Sequence, residues 1–337
     1  MKNALVLFIV LVLAAPPAEA VVFSGERVLP VTTFSIVARD PETGQLGVAV
    51  QSHWFSVGSV VPWVKSGVGA VATQSLSDVT YGPLGLELMQ AGKSAEQALK
   101  GLIETDPHPE WRQVGMIDAK GSRAAHTGKQ CIREAGHVIG EDFIVMANLM
   151  EKNTVWQAMA DAYRNSTGDL AERMLAALDA AQKEGGDIRG RQSAAMIVVR
   201  GQSTGVDYKD RIIDLRIEDH PAPLVELRRL VTLDRAYLLM NEGDEKMVQR
   251  DNKGALQAYG RAMELAPDVT EIKYWVALTM FSEGMQDDAL RLFHDVFEKE
   301  PLWVEVTRRL PAAGLLLNDA GQLSRILEVA PESTRGN

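Results

Sequence analysis

Cysteine is almost missing from this sequence: one residue, Cys131, in 337. A single thiol closes no internal disulfide, so the fold stands on packing alone even in an oxidising compartment. Cys131 reads as a small buried apolar residue. The alternative, a thiol nucleophile with His126 or His137 as its base, has no local sequence behind it. Histidine is scarce too, six in all. None of the six stands at a metal-ligand spacing such as HExxH, so no metal and no other cofactor is expected. Positive charge is in deficit. The formal net charge is −10, and the paired arginines (Arg189 with Arg191, Arg228 with Arg229) are few and interspersed with acids. Nucleic acid and anionic membrane are therefore not expected partners.

Long apolar runs are missing except at the start. Met1-Lys2 is a short positive beginning, residues 4–15 are apolar without a charge, and Ala18-Glu19-Ala20 is a small-x-small cleavage site. That order describes a secretory signal peptide over residues 1–20, with the mature chain starting at Val21. The run is too short for a typical spanning helix, and no cysteine follows it to carry a lipid. An exported protein is expected, periplasmic or extracellular, with no stable membrane insertion after cleavage.

What remains is ordinary globular material. Apolar residues make up 46% and charged residues 24%, enough for a substantial core, and the length suits about two domains. Residues 31–39 are rich in β-branched side chains, Asp40-Pro41-Glu42-Thr43-Gly44 is turn chemistry, and residues 45–51 form a second apolar run: a hairpin. Residues 67–73 (GVGAVAT) follow as a strand. Ser94-Ala95-Glu96-Gln97 is a capping box opening a helix to Ile103. Strands return over residues 114–118, 123–126 and 143–147. Helices follow over 155–163 and 170–183, the second ending at Gly185-Gly186. Residues 193–199 and 212–217 read as strands, and 221–233 as a helix leaving the domain, with Asp219-His220-Pro221 as its cap. Strands in groups with helices in pairs between them predict a layered α+β fold, not a parallel βαβ one.

The C-terminal part repeats. Ala255 recurs as Ala289, Tyr259 as Phe293, Ala262 as Val296 and Pro267 as Pro301, each at an offset of 34 residues. Small, aromatic, small and proline at that period resemble a tetratricopeptide repeat. Two repeats need neighbours to bury their faces. The helix from Pro221 and the segment 303–327 are the expected caps. The boundary is placed near Val231, giving a leader at 21–32, a first domain at 33–231 and helical repeats at 232–337.

Chemistry concentrates where small and polar residues are too many for plain core. These stretches are Thr32-Thr33-Phe34-Ser35, Gln51-Ser52-His53-Trp54-Phe55, Ala72-Thr73-Gln74-Ser75, Ala125-His126-Thr127-Gly128, and residues 185–193 (GGDIRGRQS). The segments TFSIVARDPETGQLGVAVQSHWFSVGSVVPW, GVGAVATQS, AHTG, GGDIRGRQSAA and DLRIEDHPAPLVELRRL together resemble a widespread, poorly characterised bacterial family placed among the N-terminal-nucleophile (Ntn) hydrolases. The resemblance covers residues 33–230. It implies an αββα four-layer sandwich, and a first residue that serves as both nucleophile and base.

Thr33 matches that position. Its hydroxyl would attack a carbonyl carbon, an amide or peptide substrate being implied. Its own α-amine, with a pKa near 8, would take the proton. Backbone or side-chain donors of Thr73-Gln74-Ser75 would hold the oxyanion, and Lys65 would act electrostatically unless it is a solvated turn residue. Ser52 and His53 are read as substrate contacts, with satisfaction of a sheet-edge group as the alternative for His53. His126 and Thr127 end a strand where loops face a cleft, with a plain turn shaped by Gly128 as the alternative. Asp187 and Arg189 are read either as a charged pair recognising a substrate carboxylate or as an ion pair holding the glycine loop. Intracellular relatives begin Met-Thr, whereas here residues 21–32 stand ahead of Thr33. A second cut at Thr32–Thr33 is therefore required for catalysis. Without it the chain is a non-catalytic binding module, docking a protein partner or a second copy through its repeats.

Overall fold

A computed structural model of the chain describes residues 29–314 and 320–335. The expected signal peptide, and the leader up to residue 28, lie outside the described residues. Among those described, no helix is long and apolar enough to cross a membrane.

Two antiparallel sheets form the first part. One holds β1 (Leu29–Val31), β4 (Pro62–Lys65), β5 (Gly69–Ser77), β6 (Arg112–Asp118) and β7 (Arg123–Thr127). In it β5 is the hub: β6 lies along one edge, while β4 and β1 share the other, end to end. The second sheet runs β11-β10-β3-β2-β9-β8. Its strands are β2 (Thr33–Arg39), β3 (Leu46–Ser52), β8 (Gly136–Ile139), β9 (Phe143–Ala147), β10 (Ser193–Val199) and β11 (Arg211–Ile217). The β2–β3 hairpin has the expected turn, with Gly44 at φ 72.

Side-chain alternation sorts the strands into faces. Val37, Val48, Val50, Ala70, Ala72, Ile117, Ile144, Met146 and Ala195 meet in one apolar cluster between the sheets. The opposite face of β5 and β6, with Val71, Val114 and Met116, packs against α1 (Tyr81–Gln90) and α2 (Ala95–Thr105). The opposite face of β2, β3, β9 and β10, with Phe34, Ile36, Val145 and Met196, packs against α3 (Val155–Asn165) and α4 (Leu170–Lys183). The capping box of α2 is formed in both directions, with Gln97 N–H on Ser94 Oγ at 3.2 Å and Ser94 N–H on Gln97 Oε1 at 3.1 Å. Helix α4 begins on Asp169, whose carboxylate accepts from Glu172 N at 3.0 Å, and ends before Gly185 and Gly186 at positive φ.

A one-turn α5 (Asp207–Asp210) precedes β11. Helix α6 (Pro223–Val248) then leaves the sheets. Its cap is not Asp219-His220-Pro221 as such: Ala222 is the N-cap residue, Pro223 fills the first turn, and His220 Nδ1 accepts from Ala222 N at 3.0 Å. The expected boundary near Val231 falls inside this unbroken helix. Leu224, Leu227 and Val231 belong to the core of the first part, and Ala236 and Met240 to the next cluster. Arg228 and Arg235 fasten α6 to α4 through Glu172, Asp179 and Asp169.

The remaining helices are α7 (Asn252–Leu265), α8 (Thr270–Ser282), α9 (Gln286–Lys299), α10 (Leu302–Arg309), α11 (Ala320–Glu328) and α12 (Glu332–Arg335). The residues paired at the 34-residue offset take equivalent places. Ala255, Tyr259 and Ala262 are buried on α7, Ala289, Phe293 and Val296 on α9, and a proline follows the end of each helix.

Candidate functional site

The space between the two sheets is apolar at one end and polar at the other. The same alternation that turns Val37, Val48 and Val50 inward turns Thr33, Ser35 and Ser52 inward at the other end of β2 and β3. Ala70, Ala72 and Gln74 share the inward face of β5, and Gln113 joins them on β6. Thr33, Ser35, Ser52, Gln74, Gln113 and Asn148 are all fully buried. Burying so many polar groups is costly unless each is bonded, and here nearly all are.

Thr33 is the first residue of β2, opposite Ser52. The chain ahead of it crosses to the other sheet, where Leu29–Val31 pair with β5. The Thr33 hydroxyl lies 3.0 Å from Val31 O and 3.1 Å from Ser52 Oγ; neither is a strong base. The carbonyl of Thr32 accepts from Ser52 Oγ at 2.5 Å and from Arg189 Nη2 at 3.0 Å. Two donors, one cationic, therefore converge on the carbonyl of the peptide bond directly ahead of the hydroxyl. Acyl transfer at that bond needs an adjacent hydroxyl and donors aimed at the oxygen that becomes negative, and both are in place.

An amide network holds the other side of Thr33. Its carbonyl accepts from Asn148 N at 3.0 Å and from Gln74 Nε2 at 3.3 Å. Gln74 Oε1 accepts from Ser35 Oγ at 2.6 Å, and Gln113 Oε1 from Gln74 Nε2 at 2.7 Å and Asn148 Nδ2 at 3.0 Å. Gln113 Nε2 then reaches Ala147 O at 2.9 Å, Thr127 Oγ1 at 3.0 Å and Gly136 O at 3.2 Å. Gln113 and Asn148 were missed in the sequence. The available signal was a side-chain amide within, or just after, an otherwise apolar strand.

The expected site residues divide. Thr33, Ser52, Gln74 and Arg189 come together. Asp187 joins them through Arg189: its carboxylate, with no exposed side-chain surface, takes Arg189 Nη2 at 2.7 Å, Arg189 N at 2.9 Å and His53 N at 3.2 Å. The pair thus holds the glycine loop, and Arg189 also reaches the Thr32 carbonyl. His53 stands beside it, bonded to Asp187 through its backbone.

Thr73 faces away, its hydroxyl on Asp78 O at 3.0 Å. Ser75, at φ 74, pairs with Val31, and its buried hydroxyl finds no hydrogen-bond partner among the described residues. So of the triple 73–75 only Gln74 reaches Thr33, and it holds Thr33's own carbonyl, whereas Ser52 and Arg189 hold the carbonyl ahead of it. Lys65 is not brought here. It is exposed, bonded to Gln90 Oε1 at 2.9 Å, and stands opposite Gly69, roughly 20 Å along β5 from Ser75. His126 is engaged by Pro109 O at 2.7 Å, and Thr127 by His137 Nδ1 at 2.8 Å. Gly128 serves close approach: a Cβ there would sit 2.2 Å from Glu110 O.

Burial holds the His137 ring below its ordinary pKa, with the neighbouring His126 adding to the effect. Burial pushes the Cys131 thiol up, which agrees with its reading as a small apolar residue. Among the described residues, no group of three histidine, cysteine or acidic side chains could hold a metal ion.

Comparison with known proteins gives the chain relatives but no activity. A family model described as a family of unknown function, DUF1028, matches residues 33–227. The match begins on Thr33. A crystal structure of a Silicibacter pomeroyi protein from that family is 32% identical, covers 59% of this chain and 84% of that chain, and superposes with a TM-score of 0.54. No curated protein matches.

Proposed function

Because the chain belongs to the DUF1028 family of unknown function, its chemistry has to be read from its own residues, and we propose that it is an exported amide-bond hydrolase of the N-terminal-nucleophile type. Its nucleophile is the Thr33 hydroxyl, and the Thr32–Thr33 bond must be cut first. The observation that carries this reading is the pair of donors on the Thr32 carbonyl, Ser52 Oγ and Arg189 Nη2, next to the buried Thr33 hydroxyl.

The cut is written from those groups. Thr33 Oγ attacks the Thr32 carbonyl carbon, and the developing oxyanion is held by Ser52 and Arg189. The C–N bond breaks, and the hydroxyl proton ends on the leaving nitrogen, which becomes the Thr33 α-amine. Water then hydrolyses the ester, giving a Thr32 carboxylate and restoring the hydroxyl. The freed amine, with a pKa near 8, is the base for later turnovers. Each turnover repeats the sequence on an external amide. An acyl group is transferred to Thr33 Oγ, the amine product takes the proton, and water releases the acid.

Within this reading the two sheets with helices on both outer faces are an Ntn-type αββα sandwich. The helices from α6 onward are tetratricopeptide-like repeats that dock a protein partner or a second copy. Export to the periplasm or beyond rests on the segment at residues 1–20. One observation favours the non-catalytic alternative: Val31 is fully buried in the inter-sheet cluster and β1 is built into a sheet, so an uncut leader is well accommodated. Thr33→Ala and Thr33→Ser separate the readings on a panel of fluorogenic amides. Loss of all turnover in the alanine variant with partial retention in the serine variant supports the hydrolase. Equal turnover in wild type and Thr33→Ala contradicts it.

A further inference from the structure

The leader strand itself points to a substrate class. We infer that the substrate is an extended peptide whose acyl half binds as an antiparallel strand on the edge of β5 that Leu29–Val31 occupies in the uncut chain. This rests on the hydrolase reading, since the edge opens only when the leader leaves.

Three observations carry it. First, β4 covers β5 only over Gly69–Ala72, and β1 alone covers Ser75–Ser77 on that edge, in the register Leu29↔Ser77, Pro30↔Leu76, Val31↔Ser75. Removing residues up to 32 exposes a strand edge that runs straight to Thr33. An open edge presents unpaired N–H and C=O groups, the template on which an extended peptide adds. Second, the register suits a strand addressed through every other residue. Pro30, which has no N–H, stands opposite Leu76, whose carbonyl is already taken by Arg112 Nη1 at 2.7 Å. The main-chain bonds therefore fall to the residues opposite Ser75 and Ser77.

Third, the residues nearest the cut are enclosed. Val31 is fully buried in the inter-sheet apolar cluster. Thr32 is 1% exposed, and its Oγ1 finds no hydrogen-bond partner among the described residues. The site thus selects a small residue at the carbonyl to be attacked and an apolar one before it. The carboxylate released by each turnover lies where the Thr32 carbonyl lay, on Ser52 and Arg189, so the acid product is a ligand as well.

The test uses the full exported chain, with intact mass recorded first. Two measurements follow. One is kcat/KM on acetyl-Leu-Pro-Val-Thr-aminomethylcoumarin, on acetyl-Thr-aminomethylcoumarin, and on the tetrapeptide N-methylated at valine. The other is binding of fluorescein-labelled Leu-Pro-Val-Thr free acid by polarisation. With two main-chain bonds at stake, the tetrapeptide should exceed the single residue by about tenfold or more, and N-methylation should remove most of that gain. The free acid should bind with the same sensitivity to N-methylation. In a chain that begins at Thr33, substrates and acids indifferent to the strand residues and to N-methylation overturn the strand proposal and leave the hydrolase reading standing. Binding that depends on the strand without turnover overturns the hydrolase reading and the substrate proposal with it, and leaves only a peptide-binding edge. A chain that keeps its leader overturns both, because the edge never opens.

Discussion

Ser52→Ala separates the chemistry of the site from its stability. The Ser52 hydroxyl donates to the Thr32 carbonyl at 2.5 Å and touches the Thr33 hydroxyl at 3.1 Å. Alanine removes that donor while leaving Arg189 on the same oxygen at 3.0 Å, so the carbonyl is not orphaned. The stability cost is then one net hydrogen bond, about 1 kcal/mol, or about 2–4 °C in Tm for a domain of roughly 200 residues. Loss of one oxyanion donor, by contrast, slows acyl transfer by about 10²–10³-fold, or about 2.7–4 kcal/mol of barrier. Pulse-chase of the full-length chain, read by intact mass, gives the half-time of the proposed loss of residues 21–32. A folded Ser52→Ala protein with that half-time lengthened about a hundredfold or more is the expected result. A half-time within about threefold of wild type refutes the assignment of Ser52 and with it the reading of the Thr32 carbonyl as a prepared electrophile.

Gln113→Leu keeps the volume but strips the bonds to Gln74, Asn148, Thr127, Gly136 and Ala147. Chemical denaturation should show a loss of about 2–4 kcal/mol. The buried His137 ring is held below its ordinary pKa, so the unfolded chain takes up a proton near pH 6.5 and the folded chain only at lower pH. Stability therefore falls as pH drops below about 6.5 and levels off once the folded-state pKa is passed, and His137→Asn should flatten that slope in melts between pH 5 and 7. A chain ending at Val231 keeps the core residues Leu224, Leu227 and Val231 but loses the Arg235 pairs to Asp169 and Glu172. It should remain folded by circular dichroism, with at most about 1 kcal/mol lost per partly exposed pair.

The elements legible in the sequence were those whose signals are local. The β2–β3 hairpin follows from its turn residues, α2 from its capping box, the end of α4 from Gly185-Gly186, and the α7–α9 correspondence from a fixed offset. Helix α1 was not legible because Gly82, Pro83 and Gly85 argue against a helix. The two glycines are explained only by neighbours distant in sequence, since a Cβ would meet the Trp63 ring at 2.3 Å and the Met116 side chain at 2.8 Å. Strand β1 was missed because Pro30 reads as a strand breaker, and the edge register that tolerates it is set by β5. In the site, Thr33, Ser52, Gln74 and Arg189 were marked by their polar stretches. That Ser52 and Arg189 share the Thr32 carbonyl depends on a loop returning to the end of β3, which no spacing reveals. Gln113 and Asn148 lie in or beside apolar strands, and their purpose appears only when the two sheets face each other.

The N-terminus of the protein recovered from cells tests the central claim most directly. Intact mass with N-terminal sequencing should find Thr33 as the first residue in the wild type, and a chain that still carries residues 21–32 in Thr33→Ala. A wild-type protein that begins at Val21 and keeps Leu29–Val31 on the edge of β5 would contradict the account: the Thr33 amine would remain acylated, and the site would be a structural junction between two sheets.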